Sequence, residues 1–189
     1  MRERPLQVAV IVGSTREGRF GDKVARWFVS QASVRDDMDV DLIDLADVDL
    51  PAVLPSRPVP GVAAYAERID RADAFVIVTP EYNHGYPASL KQAIDVAGGW
   101  KAKPVGFVSY GGMAGGLRSV EQLRQVFAEM HAVTVRDTVS FHNFFRMFDE
   151  SGEPIERDGC NAAAKVMLDQ LAWWGRGLAD ARATRPYAA

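Results

Sequence analysis

Cysteine is almost absent from this sequence, since Cys160 is the only one among 189 residues. A single thiol excludes an internal disulfide, a cysteine-ligated zinc cluster and a Cys-x-x-Cys redox pair. Long apolar runs are also missing, because the run from Val8 to Ser14 near the start of the chain is too short for a signal peptide or a membrane-spanning helix. These absences predict a cytoplasmic protein without a membrane segment.

An excess of charge of either sign is lacking as well. The formal net charge is −3, and the basic residues are spread along the whole chain. This distribution predicts no nucleic-acid surface, so an anion has to be bound by a local site. With 48% hydrophobic and 25% charged residues, the chain has the composition of an ordinary globular protein. Its length suits a single domain, residues 1–189, with a substantial core.

Short apolar runs alternate with helical patterns along the chain. The predicted strands are 6–12, 39–45, 74–78, 104–109 and 133–135, and the predicted helices are 22–32, 61–71, 88–95, 117–130 and 161–181. A proline-rich connection at 51–60 cannot be regular. The alternation predicts an α/β fold, a doubly wound parallel sheet of five strands in the order 2-1-3-4-5.

The first predicted strand runs into a polar glycine loop, residues 13–21, which is followed by a helix. Such a junction directs backbone N–H groups and the positive end of the helix dipole at one point. Ser14, Thr15, Arg16 and Arg19 add hydroxyl and guanidinium donors there. The loop is predicted to bind a phosphate, and the alternative is a surface turn with solvated arginines.

Three familiar phosphate loops do not match these residues. Gly13 and Gly18 have the spacing of a nucleoside triphosphate loop, but Arg19 and Phe20 stand where the lysine and the magnesium-binding hydroxyl would be. The dinucleotide pattern Gly-x-Gly-x-x-Gly is absent, and a phosphatase loop would need a cysteine. A hydroxyl-rich loop for a terminal phosphate monoester remains, the type with which flavodoxin-like proteins hold FMN.

Two further loops follow the third and fourth strands, and the strand order places all three loops at one cleft. In the third loop, glycines at 111, 112, 115 and 116 allow the backbone to approach a flat ring. Tyr82, Tyr110 and Trp100 are candidate aromatic walls, and Asn83 can donate to or accept from a ring edge. For Tyr110 and Trp100, a place in the core or at an interface stays open.

Residues around the central helix are less specific. His84 is interpreted as a loop-shaping residue and not as an acid or base. Trp100, Lys101 and Lys103 follow the helix end and are expected to be exposed to a cleft or a partner chain.

Three segments together resemble the NADPH-dependent FMN reductase family, which includes quinone, azo-dye and chromate reductases. The segments are Gly13-Ser14-Thr15-Arg16-x-x-Arg19, the run from Thr79 to Asp95, and Ser109-Tyr110-Gly111-Gly112. The resemblance covers about residues 6–135. It implies a three-layer flavodoxin-like fold and an FMN cofactor.

The resemblance also assigns roles to site residues. It implies that Ser14, Arg16, Phe20 and Gly21 hold the FMN phosphate with Arg19 close by, that Pro80, Glu81, Tyr82 and Asn83 line the isoalloxazine and ribityl chain, and that Ser109, Tyr110, Gly111 and Gly112 meet the pyrimidine side. No metal site is expected. No catalytic side chain is expected either, because hydride transfer takes place at the flavin N5.

The implied reaction carries a hydride from NADPH or NADH through FMN to a small acceptor, namely a quinone, a flavin, an azo compound or a metal oxyanion. One alternative is a flavin reductase that supplies reduced FMN to a partner monooxygenase, and another is a flavodoxin-like electron carrier. The resemblance further implies a homodimer or homotetramer, with Trp100, Tyr86 and the helix at 91–96 facing a neighbouring chain.

Overall fold

The apolar runs of the sequence form one parallel sheet in the computed structural model, which describes residues 4–51, 53–55, 57 and 59–188. Its strands are β1 Leu6–Val12, β2 Met38–Asp44, β3 Ala74–Pro80, β4 Pro104–Gly111 and β5 Val133–His142. All neighbouring strands pair in parallel, and their order is β2-β1-β3-β4-β5. The predicted doubly wound, flavodoxin-like sheet is confirmed.

Five helices cover both faces of the sheet. They are α1 Gly21–Ser33, α2 Pro60–Arg71, α3 Ala88–Asp95, α4 Leu117–Glu129 and α5 Arg157–Thr184. Because side chains alternate along a strand, Val10 of β1 packs in the cluster with α1 and α5, whereas Ile11 packs in the cluster with α2, α3 and α4. The result is three layers with two cores. Within the described ranges, no helix has the length and apolarity needed to cross a membrane.

Several strands are longer than their apolar runs. β3 and β4 each continue two residues past their predicted ends, and β5 continues to His142 instead of ending at Val135. The extra part of β5 alternates between buried and partly exposed residues, as expected for an edge strand whose backbone still pairs with β4. The extension brings the segment after β5 to the carboxyl edge of the sheet.

The proline-rich connection precedes α2. Ala52, Ser56 and Pro58 of this predicted irregular segment lie outside the described residues. Pro60 forms the first residue of α2, one position before the predicted start. Proline suits that position because its fixed φ matches the helix and its missing N–H would have no partner in the first turn.

Candidate functional site

The carboxyl ends of β1, β3 and β4 surround an open cleft of about 350 Å³. These strands are neighbours in the sheet. The switch point lies between β1 and β3, because β2 is added on one side of β1 and the later strands are added on the other side. In open α/β sheets, ligands bind at this point. The residues that line the cleft are Arg16, Glu17, Gly18, Arg19, Phe20, Pro80, Glu81, Tyr82, Tyr110, Gly111, Gly112 and Phe144.

The loop after β1 presents one arginine directly to the cleft. Arg16 is exposed, and its side chain forms no hydrogen bond or ion pair with any described residue. Arg19 also lines the cleft, but it forms an ion pair with Asp44 at the end of β2. Ser14 is fully buried beneath the loop, and 2.6 Å separate its Oγ from the Tyr82 hydroxyl oxygen.

At the start of α1, a glycine allows the helix to pack closely against a tyrosine. Gly21 is the first residue of the helix, and a Cβ added there would lie 2.7 Å from the Tyr110 hydroxyl oxygen. A side chain would therefore displace the tyrosine or the helix. Burial raises the pKa of Tyr110, so its hydroxyl keeps its proton and can donate a hydrogen bond.

The loop after β3 turns sharply behind Tyr82. The backbone groups of Tyr82 and Gly85 exchange hydrogen bonds of 2.8 and 3.0 Å. Asn83 and His84 between them have φ of 50° and 69°, which are left-handed values. Both side chains are exposed, and Asn83 is not part of the cleft lining. The conformation of His84 agrees with its interpretation as a loop-shaping residue.

Glu81 ties this loop to the next one. Its carboxylate accepts a 2.6 Å hydrogen bond from the Arg118 guanidinium and a 3.2 Å bond from the Arg118 backbone N–H, in the first turn of α4. The Glu81 N–H donates to the Tyr110 carbonyl at 3.2 Å. The carboxylate is thus used to cap a helix and to hold two cleft loops together.

In the loop after β4, glycines allow two backbone segments to pack closely against each other. Ser109 is buried, and its hydroxyl donates to the Gly115 carbonyl at 2.8 Å. A Cβ on Gly111 would lie 2.8 Å from the Gly116 nitrogen, so this position requires glycine. A Cβ on Gly112 would meet nothing within 4 Å. The space beside the Gly112 Cα is therefore open to a ligand, while its carbonyl already accepts hydrogen bonds from the N–H groups of Gly115 and Asn143.

Phe144 was missed by the sequence analysis. Its ring centroid lies 4.9 Å from that of Phe20 and 5.4 Å from that of Tyr110, and the three rings form one apolar wall of the cleft. The aromatic pair Phe144-Phe145 was visible in the sequence, but β5 had been predicted to end at Val135, about a strand's length earlier. With β5 at its full length, the pair would have been placed at the carboxyl edge.

The predicted exposure of Trp100 and Lys103 is wrong. Trp100 is fully buried, and its ring packs against Phe75 at 4.5 Å and Phe127 at 5.4 Å between centroids. It is neither an aromatic wall of the cleft nor a surface for a neighbouring chain. Lys103 is buried at the opposite edge of the sheet, where its ammonium donates to the carbonyls of Ile69 and Asp70.

The fold and the cleft together define the class of the protein. A sheet in the flavodoxin order carries a cleft at its switch point, lined by an arginine from the loop before α1 and by aromatic residues and glycines. Residues 6–146 match a family model described as "NADPH-dependent FMN reductase". The chain is a member of this family. It is an oxidoreductase that uses FMN and NAD(P)H, as the sequence predicted.

The names of individual relatives are consistent with membership of this family. The chain is 34% identical over 181 residues to a probable NADPH:quinone oxidoreductase of Oryza sativa, covering 89% of this chain and 91% of the relative. It is 38% identical over 120 residues to an NAD(P)H-dependent FMN reductase of Schizosaccharomyces pombe, covering 58% and 60% respectively. A flavoenzyme NAD(P)H:(acceptor) oxidoreductase from Paracoccus denitrificans has a similar fold, with a TM-score of 0.74, 23% identity and coverage of 91% and 98%.

Proposed function

We propose that FMN binds in the cleft at the carboxyl edge of β1, β3 and β4, and that a quinone is the electron acceptor. The observation that carries this proposal is the arginine Arg16, which lines the cleft with no partner of its own among the described residues. An unpaired guanidinium beside the start of a helix suits a phosphate. The name of the Oryza sativa relative supports the quinone.

The other lining residues suit the rest of FMN. The backbone at Gly112 can approach a flat ring because no side chain intervenes and a Cβ there would meet nothing within 4 Å. Gly111 lets the backbone of Gly116 pack closely against the same loop. Phe20, Tyr110 and Phe144 supply apolar surface for the ring system. The cleft therefore combines a cation with a glycine-rich, aromatic lining, which suits a phosphate monoester joined to a flat heterocycle.

Bound FMN supplies the redox chemistry, which is the transfer of two electrons from NAD(P)H to the acceptor. The residues of the chain bind and orient the cofactor. Ser14 and Ser109 act from below the cleft, since both are buried and hold loop positions by hydrogen bonds. The Tyr110 hydroxyl stays protonated and can only donate or accept a hydrogen bond.

The proposal is tested by the visible spectrum of the purified protein before and after anaerobic addition of NADPH and then of a quinone. A flavin band that bleaches and returns is expected. If no flavin co-purifies and added FMN is reduced over many turnovers without an acceptor, the protein supplies reduced flavin instead. Failure of FMN to bind at all would contradict both functions.

Replacing Arg16 by Ala should weaken FMN binding by about 10- to 100-fold, which corresponds to one charge-assisted hydrogen bond. Riboflavin lacks the phosphate, so its affinity should stay unchanged. Both dissociation constants follow from quenching of flavin fluorescence. The control is Arg136→Ala, because the Arg136 side chain is 89% exposed and does not line the cleft. Equal losses for FMN and riboflavin would contradict the assignment of Arg16 to the phosphate.

A homodimer or homotetramer is also part of the proposal. Met113 and Phe145 are 81% and 60% exposed, and both lie in segments that border the cleft. The segments of both residues are joined by the hydrogen bond from the Asn143 N–H to the Gly112 carbonyl, so these apolar side chains suit one interaction surface beside the cleft. Light scattering should give at least twice the mass of one chain, and a monomer would contradict this part of the proposal.

A further inference from the structure

Two arginines follow β1 and line the same cleft, but their surroundings differ. Arg16 is exposed and forms no side-chain hydrogen bond or ion pair within the described part of the chain. The Arg19 guanidinium pairs with the Asp44 carboxylate, and its other nitrogen Nη1 donates to the Ser14 carbonyl at 3.3 Å. The side chains of Arg19 and Asp44 are only 20% and 19% exposed.

The contacts of Arg19 connect the loop to a neighbouring strand. Asp44 is the last residue of β2 and is paired in register with Val12, the last residue of β1. Ser14 lies near the beginning of the loop, shortly after Val12. Arg19 lies near its end, and its N–H also donates to the Arg16 carbonyl at 3.2 Å. The guanidinium therefore holds both ends of the loop against the sheet.

The Asp44 carboxylate is itself fixed. Its second oxygen accepts a 3.0 Å hydrogen bond from the Ala46 N–H in the turn after β2. An ion pair held from both sides has little freedom to turn toward a ligand. The opposite charges of the pair also offset each other, so Arg19 adds little net attraction for an anion, whereas Arg16 forms no ion pair within the described part of the chain.

We propose that Asp44 is a positioning residue for the phosphate loop, which acts through Arg19 and leaves direct recognition of the phosphate to Arg16. The inference rests on the proposed binding of FMN in this cleft. It gives Arg19 a different role from a phosphate ligand, and it adds a residue, Asp44, that does not line the cleft.

The direction in which one substitution changes FMN affinity distinguishes the two possible roles of Arg19. Asp44→Asn removes a negative charge near the phosphate and releases Arg19. If Arg19 were a phosphate ligand, FMN would bind more tightly. If Asp44 positions the loop, FMN should bind roughly fivefold more weakly, the size of effect expected for one partly exposed ion pair, while riboflavin binding changes less than about twofold.

A double-mutant cycle sharpens this test. Arg19→Ala should also weaken FMN binding, and the combined variant should be no more than about twofold worse than the worse single variant. The matched control is Asp47→Asn, which removes an exposed acid from the turn after β2 and should leave FMN affinity unchanged. Asp44→Glu retains the charge but displaces the guanidinium, and it should weaken FMN binding as well.

Three results would overturn the inference while the wild-type protein binds FMN: tighter or unchanged binding by Asp44→Asn, losses that multiply in the combined variant, or an equal loss of riboflavin binding. Fluorescence titration gives all of these values, and circular dichroism of the apoproteins verifies their folding. Failure of the wild-type protein itself to bind FMN would overturn the proposed function and this inference together.

Discussion

Two arginines at opposite edges of the sheet, Arg4 at the amino edge and Arg16 at the carboxyl edge, differ in whether the described part of the protein supplies an acidic partner. At the amino edge, the Arg4 guanidinium forms hydrogen bonds of 2.7 and 2.9 Å with both oxygens of Asp73, which is only 5% exposed. Nearby, the Lys103 ammonium donates to the carbonyls of Ile69 and Asp70. At the carboxyl edge, the Arg16 side chain has no partner among the described residues, and the space beside the Gly112 Cα is open.

This difference separates stability from binding. Removing one partner of a buried charge destabilises the fold, because the remaining partners are left without compensation. A charge or backbone donor without such a partner is available to a ligand at no cost in internal contacts. We therefore expect substitutions at the amino edge to change unfolding and those at the carboxyl edge to change cofactor binding.

The largest effect on stability is expected for Asp73→Ala at the amino edge. The substitution removes the acceptor for Arg4 and for the Gln7 N–H, which donates at 3.0 Å, and leaves Arg182 without its nearby carboxylate. The free energy of unfolding should fall by about 2–3 kcal/mol at pH 7. Urea unfolding of the apoprotein measures it, and FMN affinity should not change.

The pH dependence of the Asp73 contribution follows from its surroundings. Burial alone would raise the pKa of Asp73, but the hydrogen bonds from Arg4 and the Gln7 N–H hold the pKa below its usual range. The stability it contributes is therefore present above the unfolded pKa of about 4 and is lost as the pH falls through the folded value. Asp169→Ala is the control, because that carboxylate is 46% exposed and should cost less than about 1 kcal/mol.

A smaller effect on stability is expected for Gly21→Ala at the carboxyl edge. The added methyl group would meet the Tyr110 hydroxyl oxygen at 2.7 Å and Val12 Cγ1 at 3.2 Å. Overpacking of this size costs about 1–2 kcal/mol of unfolding free energy. The shift of Tyr110 or of the helix start should also weaken FMN binding, which would distinguish this edge from the other.

Gly177→Ala provides a matched control for that substitution. Gly177 lies inside α5, and a Cβ there would meet nothing within 4 Å. Alanine should therefore stabilise the protein by about 0.5–1 kcal/mol, since it is the better helix former. If Gly21→Ala behaved in the same way, the close contact with Tyr110 would not be important for the site.

The predictability of the two edges also differs. The strand order and the three cleft loops could be predicted because apolar runs, glycines and hydroxyl residues are local signals. Trp100 could not be placed in this way, because its burial depends on Phe75 and Phe127, which are distant in sequence. A tryptophan after a helix end has the same local pattern whether it lies in the core or at the surface.

Phe144 shows a second limit. It reaches the cleft because β5 continues along β4 through residues that are not apolar enough to be recognised as a strand. The pairing of Arg19 with Asp44 was equally invisible, because it joins a loop to a strand 25 residues away in sequence. Local motifs identify the site, whereas long-range packing decides which of its charges are free.

The smallest expected effect concerns Lys103 and the pH dependence of stability at the amino edge. Burial lowers the pKa of the Lys103 ammonium to about 8, although nearby acids oppose the shift. In the unfolded chain its pKa is about 10.4. Between these two values the unfolded state binds the extra proton, so the free energy of unfolding contributed by Lys103 rises with pH.

Lys103→Met removes this titration. We expect the unfolding free energy of the wild-type protein, relative to that of Lys103→Met, to increase by at most about 1 kcal/mol between pH 8 and pH 9. Urea unfolding at pH 7, 8 and 9 measures the difference. A difference that stays constant or decreases would show that the carbonyls of Ile69 and Asp70 compensate fully for the burial of the ammonium. The Lys103 ammonium would then be buried at the amino edge without a net desolvation cost.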